Sequence, residues 1–366
     1  MILVGPSFRA ERCVRYRYTY SECKRCADAC PHEAIRLFEA GVEVLTDLCQ
    51  GCALCVAVCP TEALTEKSIS AESLLKAAGD KKQMTIACAP SGVGGDAIVP
   101  CLGAINAIVL ADFARRGVAL QLAGTEHCAG CAHAANGPDL IQLNLAARGV
   151  LCGVKLEGEA EWAALTLAEA GVQKPAHPDD EIAASRRHLF RKFVGHGVDA
   201  VNEAMEAPPP PPLKAIRAAA PFIPERKMVL NALYAAHGDE QVRVARHPAI
   251  PAEDWSIVQG CTNCEGCVRV CPAGALQLLE DNKAWRIVVL NERCVACDVC
   301  VEVCQPKVIR QRDADNVIAN KQKARLLRSV PKKRCTGCDR MFVTEEASPV
   351  CPICITDDED FAGIFS

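Results

Sequence analysis

A chain of 366 residues with 25 cysteines, 50% hydrophobic residues and 4% aromatic ones is too long and too apolar to be a small secreted scaffold stapled by disulfides. Its thiols read as metal ligands in a reducing compartment, and its length suggests several modules rather than one core. A formal net charge of −4 points to neither nucleic acid nor an anionic membrane as the main partner.

The N-terminus, Met1-Ile-Leu-Val-Gly-Pro, lacks the basic and apolar regions of an export signal. No stretch approaches the roughly 20 apolar residues that cross a bilayer. The longest candidate, 104–111, is interrupted by Asn106 and ends at Asp112. The expected location is the cytoplasm.

Residues 1–68 read as a first cysteine-rich module with short strands such as 42–45 between its loops. Cys49, Cys52, Cys55 and Cys59-Pro60 have the spacing C-x2-C-x2-C-x3-C. Cys23, Cys26 and Cys30-Pro31 repeat its last three positions, with Tyr20 where the first cysteine would stand and Cys13 further upstream.

Residues 81–173 change character and read as a layered α/β module. A strand over 84–89 has Cys88 at its end region; a glycine-rich loop at 91–95, a helix over 102–116 preceded by Cys101, and a strand over 118–122 follow. Cys128-Ala-Gly-Cys131 comes next, then a helix over 138–148 and a strand over 150–156 that holds Cys152 as a core residue. The glycine loop lacks the full G-x-G-x-x-G pattern leading directly into a helix, so a dinucleotide site is not favoured. The spacing Cys88-x12-Cys101-x26-Cys128-x2-Cys131 is similar to that of thioredoxin-like [2Fe–2S] ferredoxins, although that family usually has three residues inside its late pair. Three readings stay open: a further metal centre, a redox-active Cys128/Cys131 dithiol, or buried structural cysteines. His127 is a loop histidine beside them.

Residues 180–255 read as a helical segment, with a helix over 180–206, a semi-rigid polyproline spacer at 208–212 and one or two short helices after it. Residues 256–312 form a second cysteine-rich module. Cys261, Cys264, Cys267 and Cys271-Pro272, then Cys294, Cys297, Cys300 and Cys304, repeat the four-cysteine spacing twice. The tail, 321–366, has a basic run over 321–334, read as a solvated helix face or as a docking segment for an acidic redox partner, and an acidic run at 357–360. Between these runs Cys335-x2-Cys338 and Cys351-x2-Cys354 form two knuckles suited to one tetrahedral S4 site.

The run 261–304 resembles the bacterial two-cluster ferredoxins, and the N-terminal module resembles them with one departure. The resemblance implies [4Fe–4S] cubanes ligated crosswise, with Cys261, Cys264, Cys267 and Cys304 on one and Cys271, Cys294, Cys297 and Cys300 on the other. By the same crossover, Cys30, Cys49, Cys52 and Cys55 hold one N-terminal cluster, and Cys23, Cys26 and Cys59 hold the other. Either Cys13 is the fourth ligand there or the site holds a three-iron or otherwise altered cluster. The tail resembles zinc ribbons and rubredoxin-like modules, with zinc or iron at Cys335, Cys338, Cys351 and Cys354.

The expected fold class is a multidomain α+β chain: two ferredoxin-like modules, a layered α/β middle module and a small C-terminal knuckle of four cysteines. The expected cofactors are four [4Fe–4S] clusters, a possible fifth cluster in the middle module, and zinc or iron in the tail. No catalytic constellation is evident. The expected function is therefore that of a polyferredoxin-like electron-transfer protein or subunit, non-catalytic in itself, that relays single electrons to or from a larger cytoplasmic oxidoreductase. The competing expectation is an iron–sulfur-fed thiol/disulfide reductase that uses Cys128 and Cys131.

Overall fold

The computed structural model describes residues 5–154, 162–168 and 215–355, apart from 239, 321 and 346. The expected helix over 180–206, the proline spacer at 208–212 and the acidic run at 357–360 lie outside the described residues.

In the first cysteine-rich stretch the chain enters as β1 (Ser7–Phe8) and makes two one-turn helices, α1 (Val14–Arg17) and α2 (Arg25–Asp28). A hairpin of β2 (Ile35–Phe38) and β3 (Gly41–Val44) follows, then α3 (Leu54–Val58), and β4 (Leu64–Thr65) closes the unit antiparallel to β1. The hairpin requires Gly41: at φ +134° it comes so close to Phe8 that a Cβ would lie 2.7 Å from the ring. The helix α3 is short for local reasons. It begins after Ala53, at φ 62°, and ends at Cys59, because the residue before Pro60 disfavours helical backbone.

The middle stretch begins with α4 (Ala71–Ala78), capped by Ser70, whose Oγ accepts the Ser73 amide at 3.2 Å. It continues through β5 (Gln83–Cys88), β6 (Ala97–Val99), α5 (Ala107–Arg115), β7 (Ala119–Ala123), α6 (Gly137–Cys152) and β8 (Leu165–Leu167). The four strands are all parallel, in the order β6-β5-β7-β8. Central β5 is apolar almost throughout, with Met84, Ile86 and Ala87 fully buried, as a strand covered on both faces must be.

Two elements here differ from the sequence reading. The helix over 102–116 is divided into a 3-10 turn, Leu102–Ala104, and α5, because the Asn106 side chain accepts the Ile108 and Val109 amides at 3.1 Å each and starts a new helix. Residues 150–152 are not a strand but the last turn of α6. Their aliphatic character suits either state, and the buried stripe of Ile141, Asn144, Ala147 and Leu151 at helical spacing decides it. Cys152 thus sits half-buried at a helix end. The glycine loop runs into β6 rather than into a helix, so no helix N-terminus faces it.

After α7 (Glu225–Leu233) and β9 (Arg243–Ala245), the second cysteine-rich stretch repeats the plan of the first. Outer strands β10 (Trp255–Ile257) and β13 (Ile309–Gln311) pair antiparallel around α8 (Gly266–Val270), the hairpin of β11 (Leu276–Glu280) and β12 (Ala284–Val289), and α9 (Val299–Val303). Strand β14 (Asn316–Ile318) pairs with β9. The basic run is not a helix: Arg325–Arg334 is β15, which extends the hairpin sheet and passes it on to β16 (Met341–Val343) in the order β11-β12-β15-β16. Its charges are matched inside the chain. Arg325 pairs with Asp254, Arg328 with Glu345, Lys332 with Glu280 and Arg334 with Asp339.

The modules share cores rather than hanging from linkers. Leu54, Cys55 and Val56 of α3 belong to one apolar cluster with Met84 and Ile86 of β5 and Phe113 of α5. At its centre Gly103 lets the turn meet α6, since a Cβ there would lie 2.6 Å from Gly137 O and 3.2 Å from Leu54 Cδ2. Helix α7 is tied to the N-terminal unit by Glu62, which accepts the amides of Glu225 at 2.7 Å and Arg226 at 3.0 Å and pairs with the Arg226 guanidinium at 3.3 Å. A smaller cluster of Val14 and Tyr18 with Val270, Val299 and Val303 joins the two cysteine-rich units, and Arg25 pairs across it with Asp298 at 2.7 Å.

Leu54 is fully buried where two units meet, so Leu54→Ala is expected to cost about 2–5 kcal/mol and to lower one shared thermal transition. Calorimetry that shows two transitions, only one of them shifted, would contradict a common core.

Candidate metal centres

The cysteine loops share a backbone signature. Residues on both sides of the second cysteine of a run adopt left-handed φ: Gly51 and Ala53 around Cys52, Asn263 and Glu265 around Cys264, and Ala296 and Asp298 around Cys297. The third residue after the fourth cysteine does so in every run, at Glu33, Glu62, Gly274 and Lys307. Non-glycine residues held in this region cost on the order of 1–3 kcal/mol each, a strain that the surrounding structure must offset. Such turns aim successive amides inward, a geometry that suits anionic sulfur. The amides of Ala34, Ala63 and Ala275 donate to the Sγ atoms of Cys30, Cys59 and Cys271 at 3.3, 3.3 and 3.2 Å. The first run alone lacks the left-handed pair, as neither Glu22 nor Lys24 beside Cys23 has positive φ. This is the run in which Tyr20 stands in the first position, and Tyr20 is exposed.

The structure brings the thiols of each cysteine-rich unit close to one another. Cys13, Cys23, Cys26 and Cys59 all line one cavity of about 30 Å³. Burial, with the charges of Cys59, Cys23 and Cys13 as lesser causes, pushes the Cys26 thiol up to about 12. Cys13 itself is pushed up to about 11, chiefly by burial. Cys52 is raised to about 11 by burial, with Cys30 and Cys49 contributing, and Cys55 is raised by burial and by Cys52, Cys26, Cys30 and Cys49. In the second unit burial, then Cys261, Cys264 and Cys304, pushes Cys267 up to about 12. Cys297 and Cys300 lie far above the usual thiol range through burial and the nearby Cys271 and Cys294. Buried thiols that repel one another's charge suit bound metal, whose positive charge stabilises the thiolates. The cysteines present fit bound [4Fe–4S] clusters.

The middle site stands at the C-terminal edge of the parallel sheet, where open α/β sheets commonly hold ligands. Cys88 ends β5, Cys101 precedes the 3-10 turn, and Cys128 and Cys131 lie in and just after the turn Thr125–Gly130 that follows β7. All four line a cavity of about 260 Å³ together with His127 and His133. Two glycines keep space beside the sulfurs: a Cβ on Gly124 would lie 3.1 Å from Cys88 Sγ, and one on Gly137 3.3 Å from Cys101 Sγ. Cys101 is pushed up to about 12, chiefly by burial, with the thiols of Cys52, Cys88 and Cys131 as lesser causes. The His127 Nε2 is buried, makes no hydrogen bond, and lies 3.5 Å from Glu126 Oε1.

Two residues that sequence reasoning missed lie between this site and the first module. His32 Nε2 and His133 Nδ1 are 2.9 Å apart, and their ligating atoms lie within 4.8 Å of each other and of Cys52 Sγ. Burial lowers the affinity of both rings for a proton, to about 4 for His133. The overlooked signal is their common offset, since each histidine stands two residues after a cysteine.

In the tail Cys335, Cys338, Cys351 and Cys354 converge within 4.8 Å, as one tetrahedral ion requires. The Cys351 amide, at 3.2 Å from Cys335 Sγ, holds that thiol down to about 6.

Residues 17–66 and 260–309 each match the 4Fe-4S dicluster domain family. The chain carries two 4Fe–4S dicluster domains. Cys13 falls outside the first match, in keeping with the altered first run. A 53-residue stretch is 38% identical to a subunit of the ion-translocating oxidoreductase complex of Methanosarcina acetivorans, covering 14% of this chain and 19% of that protein. The chain therefore spans about a fifth of the length of the relative it matches.

Cys13→Ser is expected to remove about four irons per chain or to leave a three-iron signal, while Cys152→Ser changes neither. Iron analysis with electron paramagnetic resonance (EPR) decides, and unchanged spectra in Cys13→Ser would exclude that thiol as a ligand.

Proposed function

We infer that the chain is a multicluster electron-transfer component that passes single electrons to or from a larger oxidoreductase in the cytoplasm. The observation that carries this reading is the succession of thiol sets through packed apolar contacts. Cys26 packs on the apolar cluster that contains Cys55, between the two N-terminal sets, and Cys267 packs on the one that contains Cys300, between the two C-terminal sets. Cys23 of the first unit and Cys267 and Cys297 of the second pack on the same small cluster. Protein of this kind sets distances and potentials, and the inward amides and burial are its means.

Four [4Fe–4S] clusters, a fifth centre at Cys88, Cys101, Cys128 and Cys131, and a zinc or iron ion in the tail make up the proposed complement. The dithiol reading uses Cys128 and Cys131 alone and leaves Cys88 and Cys101 beside them unexplained. Among the described residues no helix is long and apolar enough to cross a membrane. Similarity to one component of an oxidoreductase complex supports a partner of that class. Docking through 321–334 has little support from the internally paired charges of β15. Cys264, exposed in the outermost set, gives an external donor or acceptor its approach.

Alkylation of native protein under anaerobic, reducing conditions, followed by peptide mapping, tests the middle site. Protection of Cys88, Cys101, Cys128 and Cys131 until a chelator and denaturant are added supports a metal centre. Ready labelling of Cys128 and Cys131 alone would replace it with the dithiol.

A further inference from the structure

We propose that His32 and His133 form the joint through which the N-terminal dicluster unit and the middle centre exchange electrons. The proposal rests on the reading of Cys88, Cys101, Cys128 and Cys131 as a metal centre. The two histidines hold equivalent places in the chain, each two residues after a cysteine. His32 follows Cys30 in Cys30-Pro31-His32, and His133 follows Cys131 in Cys131-Ala132-His133. Their imidazoles meet at 2.9 Å, edge to face with ring centroids 5.1 Å apart. The His133 amide also donates to Cys131 Sγ at 3.4 Å. A continuous run of covalent and hydrogen bonds therefore leads from Cys30, through both rings, to Cys131.

The surroundings close the joint. Cys52, a ligand candidate of the same N-terminal set as Cys30, lies within 4.8 Å of both rings, and its field reaches Cys101 of the middle set. His133 is only 7% exposed, and Asn136 of the following turn donates to Asp28 O at 3.1 Å, which holds the turn against α2. A surface histidine pair would need none of this. One electron crosses per event: the set at Cys30, Cys49, Cys52 and Cys55 loses it, the set at Cys88, Cys101, Cys128 and Cys131 gains it, and no bond is made or broken. The direction reverses with the potentials. The middle centre is thereby one terminus of the chain of centres, and Cys264 marks the other.

The test uses the full, anaerobically purified chain. In wild type, partly reduced protein is expected to show mutual broadening or enhanced spin relaxation between the middle centre and an N-terminal cluster. Freeze-quenching after rapid reduction then follows the appearance of the middle centre's EPR signal. His32→Leu and His133→Leu are each expected to slow that appearance by about tenfold or more, with iron content and midpoint potentials unchanged. The double variant is expected to be no slower than either single one, because the pair acts as a unit. His133→Asn, which can offer a polar atom in the place of Nδ1, and His32→Gln, which can do so for Nε2, are expected to recover most of the rate. Unchanged rates in both leucine variants, or loss of the middle centre's iron in them, would overturn the joint while leaving the metal centre standing. Wild-type protein with no metal bound to Cys88, Cys101, Cys128 and Cys131 would overturn the reading of the site as well.

Discussion

The structure depends on one constraint: several cysteines of its cluster loops and of the middle site are buried together, where desolvation disfavours the charged thiolate. Burial, with neighbouring thiols as a further cause, pushes Cys26, Cys101 and Cys267 each up to about 12. A bound metal reverses that penalty, which couples cluster insertion to folding. The left-handed residues around Cys52, Cys264 and Cys297 follow the same logic, because their strain persists only where something holds the loop.

That constraint also accounts for how the units are joined. The helices of each cysteine-rich unit are single turns. Stability comes from shared burial: α3 inserts Leu54 beneath the parallel sheet, α7 is held by Glu62, and Val14 and Tyr18 pack on Val270 and Val299. Rigid packing serves electron transfer because it fixes the spacing between centres. The His32–His133 contact lies at one of these shared faces, which is where a coupling between units has to be.

Much of the cysteine chemistry was legible in the sequence, since spacing of thiols along a loop survives any tertiary arrangement. Crossed grouping followed from the ferredoxin resemblance, and the structure brings Cys13 to Cys23, Cys26 and Cys59. What escaped depended on packing. The segment 150–152 has strand-like side chains, yet the stripe from Ile141 to Leu151 makes it helical. The basic run 321–334 looked like a solvated helix face or a docking segment, but Arg325, Arg328, Lys332 and Arg334 meet acidic partners along a strand. His32 and His133 are 101 residues apart, and no local pattern announces that they touch.

The most direct measurement is iron and acid-labile sulfide analysis of anaerobically purified protein, paired with EPR after reduction. The account predicts about sixteen irons from the two dicluster domains, further iron at the middle site, and interacting cubane signals. Colourless protein without labile sulfide, holding zinc in its thiol sets, would contradict it.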